Sequence, residues 1–181
     1  LYACEAKADG LYDQPDDGQN RACNFLDWGD VLAYLDWAGL RPMTEMEFEK
    51  AARGPEAPLA GGFAWGTAKS IDANSLWMDG TATETVTEQA TATAGLGSHG
   101  YTGPSGPLRV GFGGRDNSNR LQIGATYYGL LEMSGNLWEL CVTVDTSGLA
   151  FRGSHGDGLL GEDGSANEPD WPLRAGAIHR G

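Results

Sequence analysis

Helical periodicity is confined to one stretch of this chain, residues 30–54, and that restriction bounds what it can fold into. Val31, Leu32, Tyr34, Leu35 and Ala38 recur at helical spacing from Asp30, and Gly39 is placed as a C-cap. After Leu40-Arg41-Pro42, Thr44 and Glu47 stand at the spacing of a capping box. Phe48, Ala51 and Ala52 carry a second helix to Arg53-Gly54-Pro55. Elsewhere turns dominate. Glycine fills 28 positions, roughly twice the usual share, which implies many turns and little regular structure. Residues 1–27 read as an irregular lead-in segment, and the threonine-rich residues 81–94 as a surface loop or edge strand. Leu137 to Val144 alternates well enough for a core strand, a further strand falls near Phe151-Arg152, and a long Gly/Asp loop then runs to Trp171-Pro172. The expectation is an α+β fold, two short helices plus short strands, loop-rich, in a single domain spanning 1–181.

Twelve basic against 25 acidic residues leave a net charge of −13. Such a surface repels phosphate backbones and anionic lipid heads, so nucleic acid is excluded as a partner, and it favours divalent cations and basic partners. No apolar run reaches bilayer-spanning length, which argues against direct membrane insertion. The chain starts at Leu1 without a methionine, as a processed chain or a segment of a longer one would. Cys4, Cys23 and Cys141 allow at most one internal disulfide; Cys4 and Cys23 are near enough in sequence to bridge, and Cys141 suits a buried thiol. No CxxC or Cys/His cluster suggests structural zinc.

Three passages, in order and at matching spacing, resemble the formylglycine-generating-enzyme (sulfatase-modifying factor) family. They are DVLAYLDWAGLRPMTEMEFEKAARG (Asp30 to Gly54), YGLLEMSGNLWEL (Tyr128 to Leu140) and FRGS (Phe151 to Ser154). The resemblance covers roughly Cys23 to the end and is strongest with a secreted bacterial branch. It implies a C-type-lectin-like formylglycine-generating-enzyme fold. It also implies a closing "GFR" strand, of which only Ile178-His179-Arg180-Gly181 is present.

The family's oxidases place two cysteines a few residues after the third passage, where they hold copper and oxidise a substrate cysteine. Here that stretch reads Ser154-His155-Gly156-Asp157-Gly158-Leu159-Leu160, with no cysteine after Cys141. Soft thiolates are what hold a cuprous ion, so these residues do not suit oxidase chemistry. His99, His155 and His179 are too scattered for the iron site of the related sulfoxide synthases. Ser154, His155 and Asp157 lie too close along the chain to converge as a hydrolase triad.

Calcium is the cofactor the resemblance implies, in a structural role. The loop Ser134-Gly135-Asn136-Leu137-Trp138-Glu139 matches one calcium loop of the family, with side-chain oxygens from Asn136 and Glu139 and carbonyls from Ser134, Gly135 and Leu137. A second site would use Asn74, Ser75 and Tyr101, but His99 stands where the family tends to carry Asp, and a neutral imidazole is a poor calcium ligand. The acidic residues Asp157, Glu162, Asp163 and Asn167 lack EF-hand spacing and read as a solvated loop. Most of the tryptophans fall inside motifs of the family's core, so Trp37, Trp65 and Trp138 are expected in the core; Trp171, beside Pro172, is the tryptophan expected to meet ligand.

Members of this fold without the cysteine pair include ligand-binding proteins whose contact face lies in the C-terminal third. By that analogy, His155, Asp157, Glu162, Asp163, Asn167 and Trp171 form a ligand surface. The expected function is a non-catalytic extracellular or cell-surface binding or adhesion module, taking a protein or glycan ligand on calcium-stabilised loops. The alternatives are a structural subunit of an extracellular filament or surface assembly, in which the partners are copies of itself, and a metal-dependent oxidase of the formylglycine-generating type.

Overall fold

The computed structural model describes residues 4–89, 91, 93–98 and 107–181. Two helices and six short strands are joined by long loops: α1 (Trp28–Trp37), α2 (Glu45–Arg53), β1 (Ser70–Asp72), β2 (Leu76–Trp77), β3 (Thr85–Val86), β4 (Gly95–Gly97), β5 (Glu139–Val142) and β6 (Ala177–Arg180). The chain divides into two compact units, one of residues 1–24, 51–137 and 181, the other of residues 25–50 and 138–180.

In the first unit β1 pairs in parallel with β4, and β2 pairs antiparallel with β3. In the β2–β3 pair, Leu76 stands opposite Val86 and Trp77 opposite Thr85. Alternation along a strand sends these two pairs to opposite faces. Val86 and Leu76 pack with Ala73, Leu96, Leu108 and Phe112 in the core of this unit, and Trp77 is left exposed. Trp65 is buried, stacks on Phe63 at a centroid distance of 4.7 Å, and donates from Nε1 to the Lys69 carbonyl at 3.0 Å.

The second unit holds α1, the first turns of α2 and the antiparallel pair β5–β6. Helix α1 begins at Trp28, two residues before the expected start, because Asp27 and Asp30 form a reciprocal capping box. Its end is tied by the Gly39 amide to the Asp36 carbonyl and the Leu40 amide to the Leu35 carbonyl, with Gly39 at φ 66°. The expected capping box of α2 is present. Glu47 Oε2 accepts from the Thr44 amide at 2.8 Å and from the Thr44 hydroxyl at 2.9 Å, and the Glu47 amide donates back at 3.2 Å.

Three expectations need correction. Residues 151 and 152 form no strand; the partner of β5 is β6, a stretch where the sequence carries only the incomplete closing motif. Trp37 and Trp138 are 64% and 74% exposed, so neither is a core residue. Helical and strand periodicity locate an element but not the side of it that another element covers; here Trp37 meets the ring of Tyr34 at 6.1 Å and Trp138 that of His179 at 5.3 Å, and both stay mostly exposed. Cys4 and Cys23 are free thiols in the structure, as is Cys141. Among the described residues, no helix is long and apolar enough to cross a membrane.

Candidate functional site

In the second unit the long loop after Ser154 is organised by a buried carboxylate from helix α1. Asp36 has no solvent exposure; its Oδ1 accepts from the Asp157 amide at 3.1 Å and its Oδ2 from the Asn167 amide at 2.9 Å. The loop amides of Gly156 and Gly158 donate to the Leu40 and Asp36 carbonyls at 2.7 Å and 3.1 Å. Gly156 is required there, since a Cβ would lie 2.3 Å from Asp36 Cα. One carboxylate thus closes a loop of eleven residues, from Asp157 to Asn167, against the helix.

The carboxylates of Asp36, Asp157 and Glu168 converge within 4.8 Å, whereas Glu162 and Asp163 stay out on exposed turns. Asp163 accepts from the Ser165 amide and hydroxyl, which hold its carboxyl below the usual range. His155 places Nδ1 3.2 Å from the Gly39 carbonyl, and Asn167 donates from its amide nitrogen to the Leu159 carbonyl at 3.2 Å. Trp171 corrects the remaining expectation for this face. It is only 8% exposed and donates from Nε1 to the Ser154 carbonyl at 3.0 Å, so it holds the loop from beneath and offers no stacking surface. Asp36 was invisible in the sequence because nothing in an amphipathic helix announces which acid will accept amides more than a hundred residues away.

The thiol of this unit is inert. Cys141 lies wholly buried on β5, and burial first, then the charges of Glu139 and Glu47, pushes its ionisation up to about 12. Nearby, Glu45 is buried in an ion pair with Arg180 and accepts from the Val144 amide at 3.0 Å. Glu47 is held down to about 2, chiefly by its hydrogen bonds from Arg41.

In the first unit the Ser134–Leu137 segment of the expected calcium loop is locked to the protein. Ser134 Oγ accepts from the Ala64 amide at 3.0 Å, and the Asn136 amide donates to the Ser98 carbonyl at 2.7 Å. The Asn136 side chain reads both polar groups of Leu108, accepting from its N–H at 2.7 Å and donating to its carbonyl at 3.2 Å. Two residues before Ser134 stands Glu132, which sequence reasoning passed over. It adopts φ 62°, rare outside glycine, and accepts from the Gly111 amide at 3.0 Å; burial pushes its carboxyl up to about 6. Glu139 opens β5 in the second unit. Of the second expected site, Asn74 donates to the Asp72 carbonyl at 3.2 Å and the Ser75 amide to Glu88 Oε2 at 3.3 Å, while Tyr101, like His99, lies outside the described residues.

The helix pair, the loop-rich α+β layout and the ordered loop after FRGS define the class to which this chain belongs. Residues 7–166 match the family of sulfatase-modifying factor enzyme 1-like domains, and the chain belongs to it. The fold is accordingly of the loop-rich formylglycine-generating-enzyme type. Among named relatives, the chain is 29% identical over 139 residues to the formylglycine-generating enzyme of Thermomonospora curvata. That alignment covers 77% of this chain and 37% of the relative, so the chain spans well under half of the relative's length. No solved structure matches it.

Proposed function

We propose that this chain is a non-catalytic binding module of the sulfatase-modifying factor family, presenting its loops outside the cell or on the cell surface to a protein or glycan ligand. The observation that carries the reading is the state of the thiols. The stretch Ser154 to Leu160, where the family's oxidases place their cysteines, has none, and the Cys141 thiol is buried and ionises only near 12. Cuprous copper needs accessible thiolates, and these residues do not fit it. The residues that do fit a ligand role are those of the loop from His155 to Asn167, fixed in place by Asp36 with Asp157, Glu162 and Asp163 at its surface.

Calcium is proposed as a structural cation at the segment Glu132 to Leu137. The side chains of Ser134 and Asn136 are already engaged, so the oxygens this segment offers a cation are the carbonyls of Ser134, Gly135 and Leu137 and the carboxylate of Glu132. A hard cation accepts such an all-oxygen set. A second reading, self-assembly, is favoured by one observation: the second unit exposes Trp37, Trp138 and Leu173.

Oxygen uptake by the copper-loaded chain with a cysteine-containing peptide decides the catalytic question. The expected result is no uptake above free copper, together with native-state alkylation of Cys23 and none of Cys141. Stoichiometric peptide oxidation would overturn the non-catalytic reading. Sedimentation across a concentration series separates a monomeric binder from an assembling subunit.

A further inference from the structure

The β2–β3 pair roofs an open cleft of about 750 Å³ in the first unit, within the usual size range of small-ligand sites. Trp77, Thr83, Thr85, Thr87, Arg109 and Arg115 line it. Because Leu76 and Val86 face the core, the strand alternation forces Trp77 to the cleft side, where the indole is 59% exposed on a rigid strand pair. Among the described residues no ring contact engages this tryptophan, which leaves it a flat apolar platform.

The two arginines supply the second element. Arg109 donates from Nε to the Glu84 carbonyl at 2.7 Å, from Nη1 to the Val110 carbonyl at 2.9 Å and from Nη2 to the Gly111 carbonyl at 3.0 Å. Arg115 donates from Nη2 to the Val86 and Glu88 carbonyls, at 2.5 Å and 3.1 Å. Among the described residues neither guanidinium forms a carboxylate ion pair, although 25 acidic residues are present in the chain and the buried Glu84 pairs with Arg21. Glu132 acts on Arg109 only at longer range. Backbone carbonyls therefore orient both cations, and among the described residues the exposed Arg115 keeps its Nε and Nη1 donors for an incoming group. A planar guanidinium fork matches a carboxylate bidentately.

We propose that this cleft binds a carboxylate-bearing saccharide, a uronic acid unit, in a net acidic protein that otherwise repels anions. The C–H face of the pyranose stacks on Trp77, its carboxylate meets Arg115 with Arg109 behind it, and its hydroxyls face the threonines. An acidic peptide satisfies the arginines but not the combination of a flat platform with a row of hydroxyls. The site does not depend on whether the domain is catalytic, nor on the loop of the second unit.

The test titrates the full 181-residue chain with tetragalacturonate and, in parallel, with neutral maltotetraose, by calorimetry. Wild type is expected to bind the acidic sugar and to bind the neutral one at least about tenfold more weakly, the value of one lost charged hydrogen-bond pair. Arg115→Ala and Trp77→Ala are each expected to weaken binding by about tenfold, Trp77→Ala at unchanged thermal stability, with Arg115→Lys falling between wild type and Arg115→Ala. Equal affinity for the two sugars, no binding of tetragalacturonate at about 1 mM, or unchanged affinity in both variants overturns the proposal. Tetraglutamate binding as tightly as tetragalacturonate also overturns it, and assigns the cleft to an acidic peptide.

Discussion

Glu84 carries its charge to a position with no solvent exposure, and its surroundings explain how it can. Burial works to raise its carboxyl, but Arg21 donates to Oε2 from Nε at 2.9 Å, and the Gly80 and Arg109 amides each donate at 2.7 Å, so the group ends below its usual range. The same carboxylate thereby ties the β2–β3 turn to the segment bearing Arg109. Removing one partner of a buried ion pair leaves the other uncompensated, and Glu84→Gln is expected to cost about 3–5 kcal/mol in a urea melt. The sign of the pH effect follows from the direction of the shift. A folded carboxyl held below its unfolded value contributes stability that is present at neutral pH and lost as pH falls through the folded value. Wild type should therefore lose stability on acidification more steeply than Glu84→Gln, and parallel acid-unfolding curves for the two proteins would refute the assignment.

Elements differ in how local their causes are. Both helices were legible because their stop and start signals are neighbours: the Thr44/Glu47 box, Gly39 and Gly54 sit within a turn of the residues they govern. Thr44→Ala should cost about 1 kcal/mol, read by chemical unfolding, because it frees one amide of the first turn and one arm of the Glu47 carboxylate. What was not legible depends on distant partners. Trp171 looked like a ligand-facing residue until the Ser154 carbonyl claimed its N–H, and β6 had no recognisable motif until β5 supplied its ladder. Nothing local marks Asp36 and Glu84 as buried acids, since their amide and guanidinium partners lie 121 and 63 residues away. The loop after Ser154 offers a direct check on that long-range anchoring. Gly156→Ala drives a methyl group into the α1 backbone at Asp36, so a cost of about 1–3 kcal/mol and faster proteolysis confined to residues 153–171 are expected. Unchanged proteolysis would mean that the loop is not held by this contact.

For the whole chain the governing quantity is the net charge of −13, and it complicates any claim that calcium is a structural ligand. Self-repulsion destabilises a compact acidic protein, and any salt relieves it by screening, over a Debye length of about 8 Å at 0.15 M ionic strength. Calcium added to a dilute buffer would thus raise the Tm even with no site at all. Matched ionic strength separates the two effects. Screening makes sodium, magnesium and calcium chlorides equivalent at equal ionic strength, while a site built from carbonyls and the Glu132 carboxylate prefers the larger, more flexibly coordinated ion. At about a hundredfold excess over its dissociation constant, a bound calcium adds about 2.7 kcal/mol beyond screening. The expected outcome is a calcium-specific rise in Tm above the sodium and magnesium controls, abolished by chelator and diminished in Glu132→Gln. Superimposable curves in all three salts would remove calcium from the protein and leave the segment from Glu132 to Leu137 held by its hydrogen bonds to Ala64, Ser98, Leu108 and Gly111.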